Sequence, residues 1–239
     1  MKAISQDRYG PPEVLRLTDL DQPEPSQNQV LVQVHAAGIN PADIMVMTGV
    51  PYVMRLGFGP RRPRVRVRGF DVAGTVASVG PGVTGFQPGD EVYGEGDGTL
   101  AEFTLARPDR LARKPASLTS AQAAAVPMAG LTALHAIRDH GRVGSGAQVL
   151  IIGAAGGIGT FAVQIARSLG AVVRLVVSSP NPDDLAALTE LLESGTIRPV
   201  IDKTYPLAQA ADAVRHVATG HARGKVVVTV PLAPSPPAG

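Results

Sequence analysis

No cysteine occurs in the 239 residues, so the chain can form no disulfide, thiolate nucleophile or thiolate metal site. Tryptophan is missing too, and aromatic residues make up only 4% of the chain. No apolar run approaches the ~18 residues of a membrane helix. The N-terminal segment is polar and strand-like, without the basic stretch and apolar run of a leader peptide. Those absences predict a cytoplasmic protein with no membrane partner. Net charge of one sign is also scarce: the formal value is +2, far too small to create a nucleic-acid-binding field. A small molecule is therefore the expected partner.

The apolar fraction of 44% and charged fraction of 18% are those of a packed soluble chain, and the length allows one large domain or two small ones. One local excess interrupts the charge balance. Arg55, Arg61, Arg62, Arg64, Arg66 and Arg68 crowd into one short stretch, where Pro60 and Pro63 prevent a regular helix. The run reads as a solvated loop, with an anion or partner site as the alternative.

From Met1 to about Pro127, short apolar runs alternate with Gly, Pro, Asp and Asn, the punctuation of an all-β module. The pattern changes after Ser117. Thr119 and Ser120 are N-cap candidates for an alanine-rich helix, and Ala129–His140 reads as the next helix, stopped by Gly141. Residues 147–152 form a compact β run, followed by a glycine-rich turn, an amphipathic segment from Ile158 to Leu169, and a second β run at Val172–Val177. Helices are predicted at Pro182–Ser194 and Leu207–Thr219, with strands at Val200–Ile201 and Lys225–Val230. The proline-rich tail, residues 231–239, is predicted to be disordered.

The turn reads Gly153-Ala154-Ala155-Gly156-Gly157-Ile158-Gly159. Its glycines remove the β-carbons that would hold the backbone away from a pyrophosphate, and the following helix begins with N–H groups directed at the anion. The spacing departs from G-x-G-x-x-G. The order of strand, turn and helix nevertheless favours dinucleotide binding over tight packing alone.

Four motifs carry a resemblance to a known family: AAGINPAD at Ala36–Asp43, GFDVAGTVASVGPGVTGFQPGDEVYG at Gly69–Gly94, VPMAGLTAL at Val126–Leu134, and the glycine loop continuing into TFAVQIARSLGA. In this order they closely resemble the zinc-free, quinone-oxidoreductase-like branch of the medium-chain dehydrogenase/reductase family. The likeness resumes in TYPLAQAADAVRHVATGHARGKVVV. It implies an α/β fold made of a GroES-like β-barrel domain, residues 1–127 with 195–230, and a Rossmann domain, residues 128–194. The Rossmann part is truncated, because Val172–Val177 runs straight through SSPNPDD into a late helix. About ninety to one hundred residues of a six-stranded dinucleotide fold are missing at that junction. The uncovered sheet edges this leaves make a homodimer the simplest expectation.

The family's zinc-dependent members use a cysteine, a histidine and an acidic residue. Here Gly69-Phe70-Asp71 stands where their Gly-His-Glu would be, so no catalytic zinc is expected. None of the five histidines has a recognisable metal-ligand spacing. The resemblance implies an NAD(P)H-dependent reductase that transfers a hydride to a quinone, an enone or a related conjugated carbonyl. It places Asn40 and Thr132 beside the nicotinamide and its ribose. A turn cap and a helix-internal hydroxyl are the alternatives for these two. Asp43 reads as the cap of the helix after Pro41, and Tyr52 as a residue lining the substrate side. Ser178 and Ser179 stand where an acidic residue would select NADH, which favours NADPH while leaving NADH possible. Asp183 and Asp184 argue against NADPH if they turn inward. The competing reading is a cofactor-poor descendant whose cleft serves non-redox small-molecule chemistry or a partner.

Overall fold

The structure is a computed structural model that describes residues 1–147, 149–169 and 181–231. Its β elements are β1 (Lys2–Ser5), β2 (Arg16–Asp19), β3 (Val30–Ile39), β4 (Asp71–Val79), β5 (Glu91–Glu95), β6 (Phe103–Ala106), β7 (Leu111–Arg113), β8 (Ile201–Pro206) and β9 (Lys225–Thr229). The helices are α1 (Pro41–Thr48), α2 (Met54–Phe58), α3 (Ser120–Ala124), α4 (Pro127–Leu134), α5 (Gly157–Arg167), α6 (Pro182–Glu193) and α7 (Ala210–Ala218). The fold class is α/β.

The organising strand is β3, a ten-residue, mainly apolar strand in which only Gln33 and His35 are less than fully buried. Burial on both faces suits such a near-continuous apolar run. β3 pairs antiparallel with β4, β6 and β9, and the main path through the sheet runs β7-β5-β4-β3-β9-β8. The path ends on β7 and β8 among the described residues. β8 and β9 are parallel and joined through α7, a β-α-β return that brings the C-terminal part of the chain onto β3. Tyr205, Ala213, Val214, Val226 and Val228 thereby enter the same core as Val32, Val72 and Leu100.

A second core lies on the other face of the sheet, where Ala36, Ala73, Tyr93 and Val227 meet the helices. The small side chains Ala123, Ala124 and Ala125 let α3 approach the sheet closely, while Leu131, Phe161, Ile165, Leu185 and Leu188 fill the space between α4, α5 and α6. α6 is also fastened to the sheet by polar contacts. The Tyr93 hydroxyl donates to the Leu185 carbonyl at 3.1 Å and lies 2.8 Å from the Thr189 hydroxyl.

Two expectations need comment. No strand is assigned among the described residues of the predicted 147–152 run, which are coil and turn. A strand needs a neighbour to satisfy its N–H and C=O groups, and the expected neighbour, Val172–Val177, lies outside the described residues, as does the predicted disorder of residues 232–239. The helix predicted over Ala129–His140 starts earlier, at Pro127, and its last six residues widen into a π-helical turn.

Candidate active site

α1 begins with Pro41 at its first position, where the missing N–H costs nothing. Asn40 precedes it, and its backbone N–H donates to the Asp43 carboxylate at 2.7 Å. Asp43 is therefore the helix-capping partner expected from the sequence. The Asn40 side chain turns the other way, into a buried network, with only 2% of the residue exposed. Its Nδ2 donates to Asp71 Oδ2 at 2.9 Å, and its Oδ1 accepts from the Lys225 ammonium at 2.6 Å. Lys225 also donates to the Ile39 carbonyl at 3.2 Å and lies 3.7 Å from Asp71 Oδ2. The second Asp71 oxygen accepts from the Met128 backbone N–H at 3.1 Å. One carboxylate on β4 thus joins the starts of α1, α4 and β9.

Burial sets the electrostatics of this network. It pushes Asp43 up to about 7, with the neighbouring Asp71 charge acting in the same direction. Asp71 is also raised by burial, against the pull of Lys225 and the hydrogen bonds it accepts. Lys225 is lowered, again by burial. Glu95, whose pKa burial and then Asp71 raise to about 7, adds a third carboxyl to the neighbourhood. Asp43 Oδ1 and Arg68 Nε are buried without a partner, and both residues line a small cavity of about 90 Å³ on the far side of α1.

On the near side lies a cleft of about 430 Å³. One wall is Ile39, Asn40, Pro41 and Lys225, another is Met128, Ala129 and Ala133 of α4, and the third is the glycine loop with the first turn of α5. Apart from Asn40 and Lys225 the lining side chains are apolar or absent. α5 starts at Gly157, and its cap, Gly156, supplies no side-chain acceptor. The loop tolerates little bulk at its turn into the helix. A β-carbon on Gly159 would lie 2.0 Å from the Gly153 carbonyl oxygen, and one on Gly157 would meet Lys225 Cδ at 3.1 Å. Gly153 itself has φ +77, the left-handed region that glycine alone enters freely.

Among the residues singled out from the sequence, Asn40, Gly153, Gly156, Gly157 and Ile158 line this cleft together, while Ala154 and Ala155 sit in the same loop without lining it. Thr132 does not line it: its hydroxyl donates back to the Met128 carbonyl at 2.6 Å, the helix-internal arrangement. Tyr52 is 72% exposed and stacks under the Arg55 guanidinium, 4.7 Å from its ring centre, away from the cleft. Ser178 and Ser179 lie outside the described residues. Asp184 turns inward but towards His135 and Arg138, with which it is paired, whereas Asp183 remains exposed. Lys225 escaped the sequence reading, although it stands in the GHARGKVVV segment; its signal is a lone cation opening a buried β run. His135, Asp139 and Asp184 also come within 4.8 Å of one another, a grouping that sequence spacing concealed. Arg138 bridges both carboxylates there.

The chain is similar to known proteins. Residues 89–228 match the family model described as zinc-binding dehydrogenase, and residues 26–116 match that of the alcohol dehydrogenase GroES-like domain. A 2-methylene-furan-3-one reductase of Solanum lycopersicum is 30% identical over an alignment covering 95% of this chain and 79% of that enzyme. The chain belongs to the medium-chain dehydrogenase/reductase family. The alignment with the tomato family member runs over 315 positions, more than the 239 residues available here, so a long stretch of that relative faces no residue of this chain. A family member named quinone oxidoreductase, from Mus musculus, is 39% identical over 71% of this chain, which spans 50% of that protein's length. The solved quinone oxidoreductase of Coxiella burnetii superposes with a TM-score of 0.85 at 26% identity, covering 97% of this chain and 99% of that one.

Proposed function

We propose that the protein is a zinc-independent, NAD(P)H-dependent oxidoreductase that reduces a quinone, an enone or a related conjugated carbonyl. The observation that carries the reading is the cleft, where an apolar chamber is closed on one side by the glycine loop and the bare N-terminus of α5, and on the other by Asn40. That helix end suits a pyrophosphate, because its first N–H groups and the helix dipole both favour an anion. Gly157 and Gly159, where a β-carbon would crowd the loop or Lys225, fit the same group. Bound NADPH or NADH would supply the hydride. The chain's own part is to hold the phosphates at Gly156, Gly157 and Ile158, to exclude water with Ile39, Ala133 and Ile151, and to keep the Asn40 amide fixed between Asp71 and Lys225.

A zinc ion does not fit. No described residue lining the cleft is a Cys, His, Asp or Glu, and the acidic residue of the Gly69-Phe70-Asp71 motif is taken up by an amide, a backbone N–H and an ammonium. The division into residues 1–127 with 195–230 and residues 128–194 is part of the proposal. So is a homodimer, which would cover the exposed side chains of Leu150 and Ile152; a monomer in sedimentation velocity at high micromolar concentration overturns it.

Titration calorimetry tests the central claim. NADPH is expected to bind more tightly than NADH, Gly157→Val to abolish the heat, and Thr132→Val to weaken binding only modestly, by the roughly 1 kcal/mol of a single polar contact. Stoichiometric zinc in the purified protein would contradict the metal-free reading. Absence of saturable heat with both cofactors at millimolar concentration would leave the competing reading, a cleft used for non-redox chemistry or partner binding. That reading draws on one observation: the segment leading into the glycine loop has no sheet ladder to anchor it among the described residues.

A further inference from the structure

Between Asp43 and Asp71 the chain has no acidic residue and six arginines. Within this stretch α2 and the residues before it present Tyr52, Val53 and Leu56 to solvent, at 72%, 65% and 76% exposure. The chain then doubles back on the end of the helix. The Arg64 backbone N–H donates to the Phe58 carbonyl at 2.8 Å, and the Tyr9 hydroxyl donates to the Gly59 carbonyl at 2.7 Å. Three of the arginines have structural employment: Arg55 lies over the rings of Tyr9 and Tyr52, Arg66 pairs with Asp7 at 2.6 Å, and Arg68 is buried and donates to the Val65 carbonyl. Arg61, Arg62 and Arg64 are exposed, and no acidic partner reaches them among the described residues.

We propose that this surface docks on an anionic phospholipid bilayer. Arg61, Arg62 and Arg64 would meet headgroup phosphates, with Tyr52, Val53 and Leu56 entering the boundary between headgroups and acyl chains. Two features select this occupant. Three guanidiniums without an ion-pair partner among the described residues, beside a single carboxylate, Asp7, that Arg66 already holds, form a cationic array suited to an array of anions, and guanidinium is well matched to phosphate. The contiguous exposed apolar side chains require a non-aqueous phase beside that array, which a bilayer interface offers and a nucleic acid does not. Base stacking is also poorly served, since Arg55 already occupies one face of Tyr52. The contact is peripheral, because no helix among the described residues is long and apolar enough to cross a membrane. It takes up the alternative that the arginine run left open, an anion or partner site, and it stands independently of the reductase reading.

Co-sedimentation with vesicles tests it on the full chain. Vesicles of phosphatidylcholine with a third phosphatidylglycerol are expected to bind the protein at low salt, with neutral phosphatidylcholine vesicles binding little. The triple variant Arg61→Glu, Arg62→Glu, Arg64→Glu should weaken binding about a hundredfold or more, from the loss of three interfacial cations. Leu56→Ser, which leaves every charge in place, should weaken it several-fold and increase its sensitivity to salt. Equal binding to neutral and anionic vesicles, or none to either, overturns the proposal. So does a Leu56→Ser protein that binds like the wild type, or a single-stranded RNA that displaces the protein from vesicles at equal phosphate concentration, since the partner would then be a bare polyanion.

Discussion

Replacing Lys225 with methionine removes a buried cation while keeping the length and most of the volume of its side chain. Three contacts disappear: those to the Ile39 carbonyl, Asn40 Oδ1 and the Asp71 carboxylate. Asp71, which has no exposed surface, is then left with only neutral donors around it, so that keeping its charge or taking up a proton is costly. Removing one partner of a buried ion pair costs about 3–5 kcal/mol, mostly because the other charge is stranded. For a protein of this size that corresponds to a fall in melting temperature on the order of 10 °C. The double variant Lys225→Met, Asp71→Asn removes the stranded charge, and an asparagine can still accept from the Met128 N–H. It should recover more than half of the loss. Urea unfolding of the wild type, the two single variants and the double variant supplies the cycle. A Lys225→Met protein within about 1 kcal/mol of the wild type would refute the reasoning, as would a double variant no more stable than Lys225→Met alone.

Two further perturbations follow from the same geometry. Asp43 has a folded-state pKa pushed up to about 7, against an unfolded value of about 3.9; the folded state holds the proton more tightly, so this group withdraws stability as pH rises from about 4 to 7. Asp43→Asn, which keeps an acceptor for the Asn40 N–H, is expected to flatten that decline in melting temperature without abolishing it, because Glu95 is raised to about 7 as well; an unchanged pH profile would contradict the assignment. At the glycine loop, Gly159→Ala would place a methyl 2.0 Å from the Gly153 oxygen, forcing the loop off the helix at a cost of roughly 1–3 kcal/mol. Calorimetry with NADPH should show at least a tenfold loss of affinity, and unimpaired binding would mean that the loop does not hold the phosphates.

The amino-acid sequence by itself determined the family, the α/β class and the glycine loop, because these depend on local patterning: alternating apolar runs, turn residues, and glycines at positions where a side chain has no room. The Asn40–Asp43 cap was legible for the same reason, since a capping pair spans only three residues. Tertiary structure decided what those residues meet. Asn40, Asp71, Met128 and Lys225 come from four separate parts of the chain, and only the return of β9 onto β3 brings the lysine beside the asparagine. Thr132 and Tyr52 show the converse. Both stand in segments that pointed to the cleft, and what they meet there is set by the fold: the Thr132 hydroxyl donates to the Met128 carbonyl and Tyr52 packs against Arg55. The strand expected before the glycine loop depended on a neighbour, and a ladder hydrogen bond is a property of two segments, which no pattern within one of them can establish.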